Sequence, residues 1–142
     1  NGIITMKTKI KANGFTLIEI LLVVAIIGAL AAMVVPRLTG RSEKAKAATA
    51  RADIRANIAT ALKMYEIDVG AYPTTEDGLT ALQKQPANAS AWSGPYIERM
   101  PTDPWKRPYQ YKSPGAKNPN GYDLFSFGHD GVESGDDIGN WE

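Results

Sequence analysis

Four carboxylates lie close together near the end of the chain. Asp130, Glu133, Asp136 and Asp137 fall within eight residues, and two glycines separate them. Clustered carboxylate oxygens on a glycine-hinged loop are the hard ligands that calcium prefers, and backbone carbonyls can complete a shell of about six to eight oxygens. The EF-hand spacing is not met, so a solvated acidic tail remains the alternative to a calcium site.

One further carboxylate, Glu19, lies in an apolar stretch. It is the single ionisable residue of the 21-residue run from Phe15 to Val35. A charged, unpaired carboxylate inside a bilayer costs several kcal/mol, so a cationic partner is expected. Because Glu19 is near the start of the run, the alternative is that its side chain reaches the lipid headgroups.

Composition excludes most other chemistry. The chain of 142 residues has no cysteine and a single histidine, His129, which excludes disulfides, thiolate chemistry and multi-histidine metal sites. No arrangement of nucleophile, base and oxyanion donors is readable, so we interpret His129 as a loop residue and expect no enzymatic activity. Three lysines in the first fourteen residues leave 13 bases against 15 acids elsewhere, which argues against a nucleic-acid partner.

The apolar run is long enough to cross a membrane. As a helix it measures roughly 31 Å, close to the hydrocarbon thickness of a bilayer. A cleaved signal peptide is the alternative, but the run is longer than usual and lacks a fitting cleavage site. Basic residues flank both ends, so the positive-inside rule leaves the orientation open. Met6 is a natural start, and residues 1–5 are treated as an upstream remnant.

Beyond the apolar run, the chain becomes amphipathic. From Arg41 onward, apolar residues recur at steps of three and four, and Gly70 provides a stop signal. The pattern predicts one helix from about Phe15 to about Val69. We expect it to be broken or bent near Pro36, which removes a backbone donor and costs about 3 kcal/mol in a helix interior.

The second half of the chain predicts small strands. Thr74 or Thr75 can begin a short helix that runs through Leu82, and strand-like pieces follow at Tyr109–Tyr111 and Tyr122–Phe127. The predicted fold class is α+β, with a long N-terminal helix packed on a small antiparallel β-sheet. The predicted core consists of Ile54, Ile58, Leu62, Leu79, Leu82, Tyr96, Ile97, Trp105, Leu124 and Phe125.

The segment Gly14-Phe15-Thr16-Leu17-Ile18-Glu19, between a lysine-bearing peptide and the apolar run, resembles the type IV pilins and pseudopilins. The resemblance implies a type IV pilin-like fold, cleavage after Gly14 by a prepilin peptidase and N-methylation of Phe15. It also implies a leader at 1–14, a transmembrane and filament-core helix at 15–36, and a periplasmic domain at 37–142. The chain would therefore be a single-pass protein of the bacterial inner membrane, surrounded by lipid before assembly.

The rest of the chain resembles the major, G-type pseudopilins of type II secretion systems. The resemblance rests on the stretches Tyr72–Leu79, Pro95–Ile97, Pro101–Trp105, Tyr122–Ser126 and Gly128–Trp141. Ser134-Gly135 departs from the family pattern, which often has a Gly-Thr pair at this position. It implies a homopolymeric periplasmic filament, working with minor pseudopilins and an inner-membrane assembly platform to export folded proteins. The alternatives are an adhesive or motility pilin and a membrane-tethered calcium module; the lack of cysteine disfavours a disulfide-closed pilin.

The same resemblance implies roles for particular residues. Glu19 is expected to pair with the Phe15 ammonium of a neighbouring protomer, because cleavage creates that cation. Independently of the resemblance, the helix-breaking character of Pro36 leaves two expectations open, a point where the helix melts during assembly and a simple bend at the membrane surface. For the loop at 127–141, the resemblance favours calcium as the cofactor, with Asp130 and Asp137 as the main side-chain ligands. Further ligands are expected from Asp136, Ser134 and carbonyls such as that of Phe127.

Overall fold

A long helix, α1 (Leu17–Ala52), begins the described part of the chain. The computed structural model describes residue 2 and residues 14–142, without the side chains of residues 35–39. The predicted leader thus lies outside the described residues, apart from positions 2 and 14. The helix continues through Pro36, so a break there is wrong, while a bend at this residue stays a prediction. One missing backbone donor costs about 3 kcal/mol, which the cooperative hydrogen bonding on either side can outweigh.

The chain divides into two compact units, Asn1–Thr39 and Gly40–Glu142. In the first unit, the helix surface from Leu17 to Val34 has a mean hydropathy of 2.8 and none of it is buried. By length and composition this segment can cross a membrane. Among the described residues of this unit the apolar helix has no partner, and lipid or another chain would suit its surface.

The second unit starts with the remaining helical turns. A π-helical turn (Asp53–Ile58) follows α1 and leads into α2 (Ala59–Val69). The predicted end at Gly70 is confirmed, since its N–H donates to the Glu66 carbonyl at 2.8 Å. The π-helical turn was not expected from the sequence. It carries Asp53, whose carboxylate accepts a hydrogen bond of 2.9 Å from the Tyr109 hydroxyl.

The predicted short helix is shorter than expected. Only Gly78–Leu82 is helical, as a 3₁₀ segment. The Thr74 hydroxyl accepts a hydrogen bond of 3.1 Å from the backbone N–H of Asp77, so it caps the turn that precedes the segment rather than a longer helix.

The sheet has three antiparallel strands in the order β1-β2-β3. They are β1 (Gln110–Lys112), β2 (Asp123–Ser126) and β3 (Ile138–Gly139). Tyr111 lies opposite Leu124, and Ser126 lies opposite Ile138. The first two strands agree with the predicted positions. The third was not predicted, because two residues are too few to show an alternating pattern.

The core lies between the helical segments and the sheet, in agreement with the expected α+β architecture. Its buried residues are Ala50, Ile54, Ile58, Ala61, Leu62, Tyr65, Leu79, Ala81, Leu82, Ala89, Tyr109, Leu124 and Ile138. Phe125 does not belong to it, which corrects the predicted core. Side chains alternate between the faces of a strand, so Leu124 faces the helices while Phe125 contacts Phe127 and Trp141.

Candidate functional site

The first functional position is the start of α1, where Thr16 and Glu19 form a reciprocal cap. The Glu19 carboxylate accepts hydrogen bonds from the Thr16 backbone N–H at 2.8 Å and from its hydroxyl at 2.9 Å. The Thr16 hydroxyl in turn accepts a hydrogen bond of 3.3 Å from the Glu19 N–H. This capping box satisfies two backbone donors that a helix leaves free at its first turn. The cap was missed in the sequence, although Thr-x-x-Glu before an apolar run is its pattern.

Phe15 and Gly14 immediately precede this cap. The Phe15 side chain is 82% exposed, and a Cβ on Gly14 would meet nothing within 4 Å. Glu19 therefore lies one turn from the peptide bond between residues 14 and 15, on an open helix end. The carboxylate is held at this end of the helix by Thr16, the residue that follows Phe15. Pro36, the third expected assembly residue, lies in the interior of α1.

The second functional position is the acidic loop, defined as residues Gly128–Asp137 between β2 and β3. The Ser134 hydroxyl lies 3.0 Å from the Asp130 carboxylate and also contacts the Asp136 carboxylate. Asp137 accepts a hydrogen bond of 3.2 Å from the Ser134 backbone N–H. The structure thus gathers Asp130, Ser134 and Asp136 directly, and it links Asp137 to them through the backbone.

Two carboxylates of the acidic loop have shifted pKa values. Burial raises the pKa of Asp137, and the negative charges of Glu133, Asp136 and Asp130 raise it further. The pKa of Asp130 is lowered, mainly because its carboxylate accepts a hydrogen bond from the Val132 N–H. The charged form of Asp137 therefore costs stability at neutral pH, first through burial and then through repulsion, and a bound cation would reduce that cost.

The donors of the acidic loop fit a hard divalent cation by their chemistry. Carboxylate and hydroxyl oxygens are the ligands that calcium prefers. In residue 2 and residues 14–142, no three acidic or histidine side chains converge closely enough to hold an ion by themselves. Ser134 and backbone carbonyls would have to complete the shell. Phe127, one of the expected carbonyl ligands, directly follows β2 and immediately precedes the acidic loop.

Two contacts support the acidic loop from the turn at 103–107. Asp103 is 2% exposed, and its carboxylate accepts a hydrogen bond of 2.6 Å from the Ser126 hydroxyl. That hydroxyl accepts one from the Gly128 N–H at 3.1 Å. From the same turn, the Arg107 guanidinium donates to the His129 carbonyl at 3.1 Å. These supports were missed in the sequence because nothing in the local pattern relates them to the loop.

A third support comes from the helix. The Glu43 carboxylate accepts a hydrogen bond of 2.8 Å from the Trp105 indole N–H and lies 3.2 Å from His129 Nδ1. The Trp105 hydrogen bond is the main reason why the pKa of Glu43 is lowered. His129, with a side chain 72% exposed, is part of this contact between loop and helix. The position of His129 in the loop agrees with the sequence interpretation.

Comparison with known proteins agrees with these features. A family model described as "Type II secretion system (T2SS), protein G" matches residues 37–141, and one described as "Prokaryotic N-terminal methylation motif" matches residues 9–35. The type II secretion system core protein G of Pseudomonas aeruginosa is 49% identical over 138 residues, which cover 92% of this chain and 95% of that protein. The Vibrio cholerae protein of the same name is 48% identical over 143 residues, which cover 96% of each.

A solved structure agrees as well. The crystal structure of the major pseudopilin from the type 2 secretion system of enterohaemorrhagic Escherichia coli matches with a TM-score of 0.66 and 40% identity. The match covers 75% of this chain and 95% of that one. These matches favour the secretion pseudopilin over an adhesive pilin or a membrane-tethered calcium module. The chain belongs to the type II secretion system protein G family, and its role in secretion is that of a major pseudopilin.

Proposed function

We propose that this chain polymerises through its N-terminal helix into a periplasmic pseudopilus, with Glu19 pairing to the Phe15 ammonium of a neighbouring protomer. The observation that carries the proposal is the position of the Glu19 carboxylate, held on the open end of an apolar helix by Thr16. A prepilin peptidase would cleave after Gly14, and methylation of Phe15 would keep its nitrogen cationic. The pair would offset the cost of burying a carboxylate among apolar helices.

The capped conformation of Glu19 is compatible with pairing to the Phe15 ammonium of a neighbouring protomer. The Thr16 donors hold one oxygen of Glu19, Oε2, in the described structure. Within the described residues the other oxygen, Oε1, accepts no hydrogen bond, so an ammonium could bind there without breaking the cap. Repetition of one such head-to-tail contact does not close, and it therefore builds a helical filament.

The apolar surface of the helix would supply the remaining contacts of the filament. The segment Leu17–Val34 is exposed on all sides in the single chain. It would lie in the inner membrane before assembly, with the domain from residue 37 onward in the periplasm. On addition to the filament, neighbouring helices would replace the lipid. Minor pseudopilins and the inner-membrane assembly platform are the expected partners in this step.

The test compares Glu19→Gln with Glu76→Gln, a matched loss of one exposed carboxylate in the periplasmic domain. Both variants are expressed at wild-type levels in cells that lack the native chain. Filaments are counted by electron microscopy and export is measured by the secreted fraction of a substrate. We expect Glu19→Gln to lose filaments and export, and Glu76→Gln to retain both. Normal filaments in Glu19→Gln would refute the pairing and support a headgroup position for Glu19.

We also propose that the acidic loop binds calcium. Asp130 and Asp137 would be the main side-chain ligands, and Asp136, Ser134 and carbonyls such as that of Phe127 would complete the shell. Support comes from the joined oxygens of Asp130, Ser134 and Asp136 and from the charge repulsion at Asp137. When bound, the ion would neutralise the loop and fasten it next to β3.

Thermal unfolding of the full chain in detergent micelles tests this proposal, with calcium or magnesium added after treatment with EDTA. An ion that binds only the folded state stabilises it by about 2.7 kcal/mol at a concentration of 100 Kd. We expect calcium to raise the melting temperature of the wild type and of Glu76→Gln, and to have little effect on Asp130→Asn. An unchanged wild-type melting temperature in calcium would refute the proposal.

A further inference from the structure

Arg107 brings a positive charge next to the acidic loop. Its backbone is fixed in the turn at 103–107, because the Arg107 N–H donates to the buried Asp103 carboxylate at 2.8 Å. Its guanidinium then reaches the loop and donates to the His129 carbonyl at 3.1 Å. The side chain is therefore anchored at both ends, once in the turn at 103–107 and once in the loop.

The guanidinium also lies directly against the loop at Gly131. A Cβ on Gly131 would be 2.1 Å from Arg107 Nη1 and 2.7 Å from Cζ, which is far inside contact distance. Gly131 further has a φ of +75°, a conformation that glycine adopts readily. A larger residue at 131 would strain the backbone and would require the guanidinium to move.

The contacts of Arg107 leave the carboxylates of the loop free for another cation. In the described part of the chain, its side-chain hydrogen bond goes to a backbone carbonyl, and its Nη1 is buried without a hydrogen-bond partner. Asp130 instead accepts from Val132 and Ser134. Arg107 thus contacts the backbone on either side of Asp130 without occupying the oxygens expected to bind an ion.

Two effects of this charge on calcium binding oppose each other. The guanidinium holds the loop backbone in place, but its charge repels an incoming cation. The guanidinium is half-buried and lies beside the loop, so salt does not remove this repulsion. Its hydrogen bond to the His129 carbonyl acts directly on the loop backbone. The calcium affinity of an Arg107 variant distinguishes the two effects.

We propose that Arg107 is a positioning residue that holds the acidic loop folded before any ion binds, and that it thereby strengthens calcium binding. Only the second part of this inference, the stronger calcium binding, rests on the calcium site proposed above. The first part, a loop kept in place by a guanidinium packed on Gly131, concerns the ion-free protein. The two parts can be tested separately.

The test uses the full chain in detergent micelles, as wild type and as four variants. Arg107→Met removes the charge and the planar donor group, while Arg107→Lys keeps the charge alone. Gly131→Ala displaces the guanidinium and also strains the backbone at its φ of +75°, while Gly135→Ala adds a methyl group to the loop where a Cβ meets nothing within 4 Å. Amide hydrogen exchange in EDTA reports on the loop, and isothermal titration with calcium chloride gives the affinity.

We expect loop amides to exchange about tenfold faster in Arg107→Met and Gly131→Ala than in the wild type, because a local anchor is lost. Calcium affinity should fall about fivefold, as the binding-competent fraction of the loop falls. Arg107→Lys should lie between Arg107→Met and the wild type, and Gly135→Ala should match the wild type. Unchanged exchange of β1 and β2 amides would show that the fold is intact.

Other results would overturn the inference. Wild-type loop exchange in Arg107→Met would show that the guanidinium does not hold the loop. Tighter calcium binding in that variant would show that repulsion dominates. If Arg107→Met fails to fold, the same two measurements are made on Arg107→Lys instead. Loop exchange equal to the wild type in Arg107→Lys would refute a role for the planar donor group. If neither the wild type nor any variant binds calcium but the differences in loop exchange appear, the calcium site is refuted while the positioning role stands.

Discussion

The carboxylate of Asp103 accepts a hydrogen bond from the hydroxyl of Ser126 at 2.6 Å, and both side chains are buried. The other Asp103 oxygen accepts from the backbone N–H groups of Trp105 at 3.0 Å and Arg107 at 2.8 Å. A buried carboxylate is tolerated when its oxygens are fully hydrogen-bonded. This residue therefore joins the turn at 103–107 to β2, next to the acidic loop.

Replacing Asp103 should destabilise the protein strongly. Asp103→Ala leaves the Ser126 hydroxyl and two backbone N–H groups without their acceptor, and unsatisfied buried donors cost about 1–3 kcal/mol each before relaxation. We expect a loss of about 3 kcal/mol in the free energy of unfolding, measured by urea denaturation in micelles. Glu76→Ala, at an exposed carboxylate, should change it by less than about 0.5 kcal/mol. Equal effects of the two substitutions would contradict the assigned network.

The core between the helices and the sheet should depend on Leu62. This side chain is completely buried, whereas Met64 on the same helix is 52% exposed. Leu62→Ala leaves a cavity and should cost about 2–5 kcal/mol of unfolding free energy. Met64→Ala is the matched control and should cost less than about 1 kcal/mol, since little buried surface is lost. Similar melting temperatures for both variants would argue against the helix orientation described here.

Asp137 should reduce the stability of the ion-free protein at neutral pH. Its pKa is raised in the folded state, so the folded protein binds this proton more tightly than the unfolded chain does, and the charged form costs stability. Asp137→Asn removes the charge and keeps an oxygen for the Ser134 N–H. In EDTA at pH 7 the melting temperature should therefore rise, by roughly 1–4 °C for a partly exposed charge.

The pH dependence of that gain follows from the same shift. The cost of the charge disappears as the pH falls through the raised pKa of Asp137, and it is absent below the ordinary value of about 3.9. The difference between Asp137→Asn and the wild type should therefore vanish near pH 4. In calcium at pH 7 the order should reverse, because the variant lacks a proposed ligand. A lower melting temperature of the variant in EDTA would contradict the repulsion.

Lys106 offers a site for stabilisation. It has a φ of +69°, in the left-handed region that L-residues other than glycine rarely adopt. Lys106→Gly removes this strain but makes the unfolded chain more flexible, so the net gain should be about 0.5–1 kcal/mol. Thermal unfolding measures the gain, and Lys112→Gly in the strand β1 is the control, which should be destabilising. A loss of stability in Lys106→Gly would show that the conformation is not strained.

Much of this protein follows from its sequence, because the relevant signals are local. The spacing of apolar residues identifies the helices, and Gly70 marks their end. The apolar run with its single Glu19 identifies a helix that can cross a membrane. The acidic cluster is visible by composition, since its carboxylates are within eight residues of one another. In each case, residues close in the chain carry the whole pattern.

The tertiary structure decided what depends on residues far apart in the chain. Asp103 and Ser126 are separated by 23 residues, and Arg107 and His129 by 22. No periodicity relates such pairs, because their contact exists only after the sheet and the loop have folded. The same is true of β3, whose two residues are a strand only through β2. The sequence alone thus determined the helices and the charges, while long-range packing decided which backbone and side chains hold the acidic loop in place.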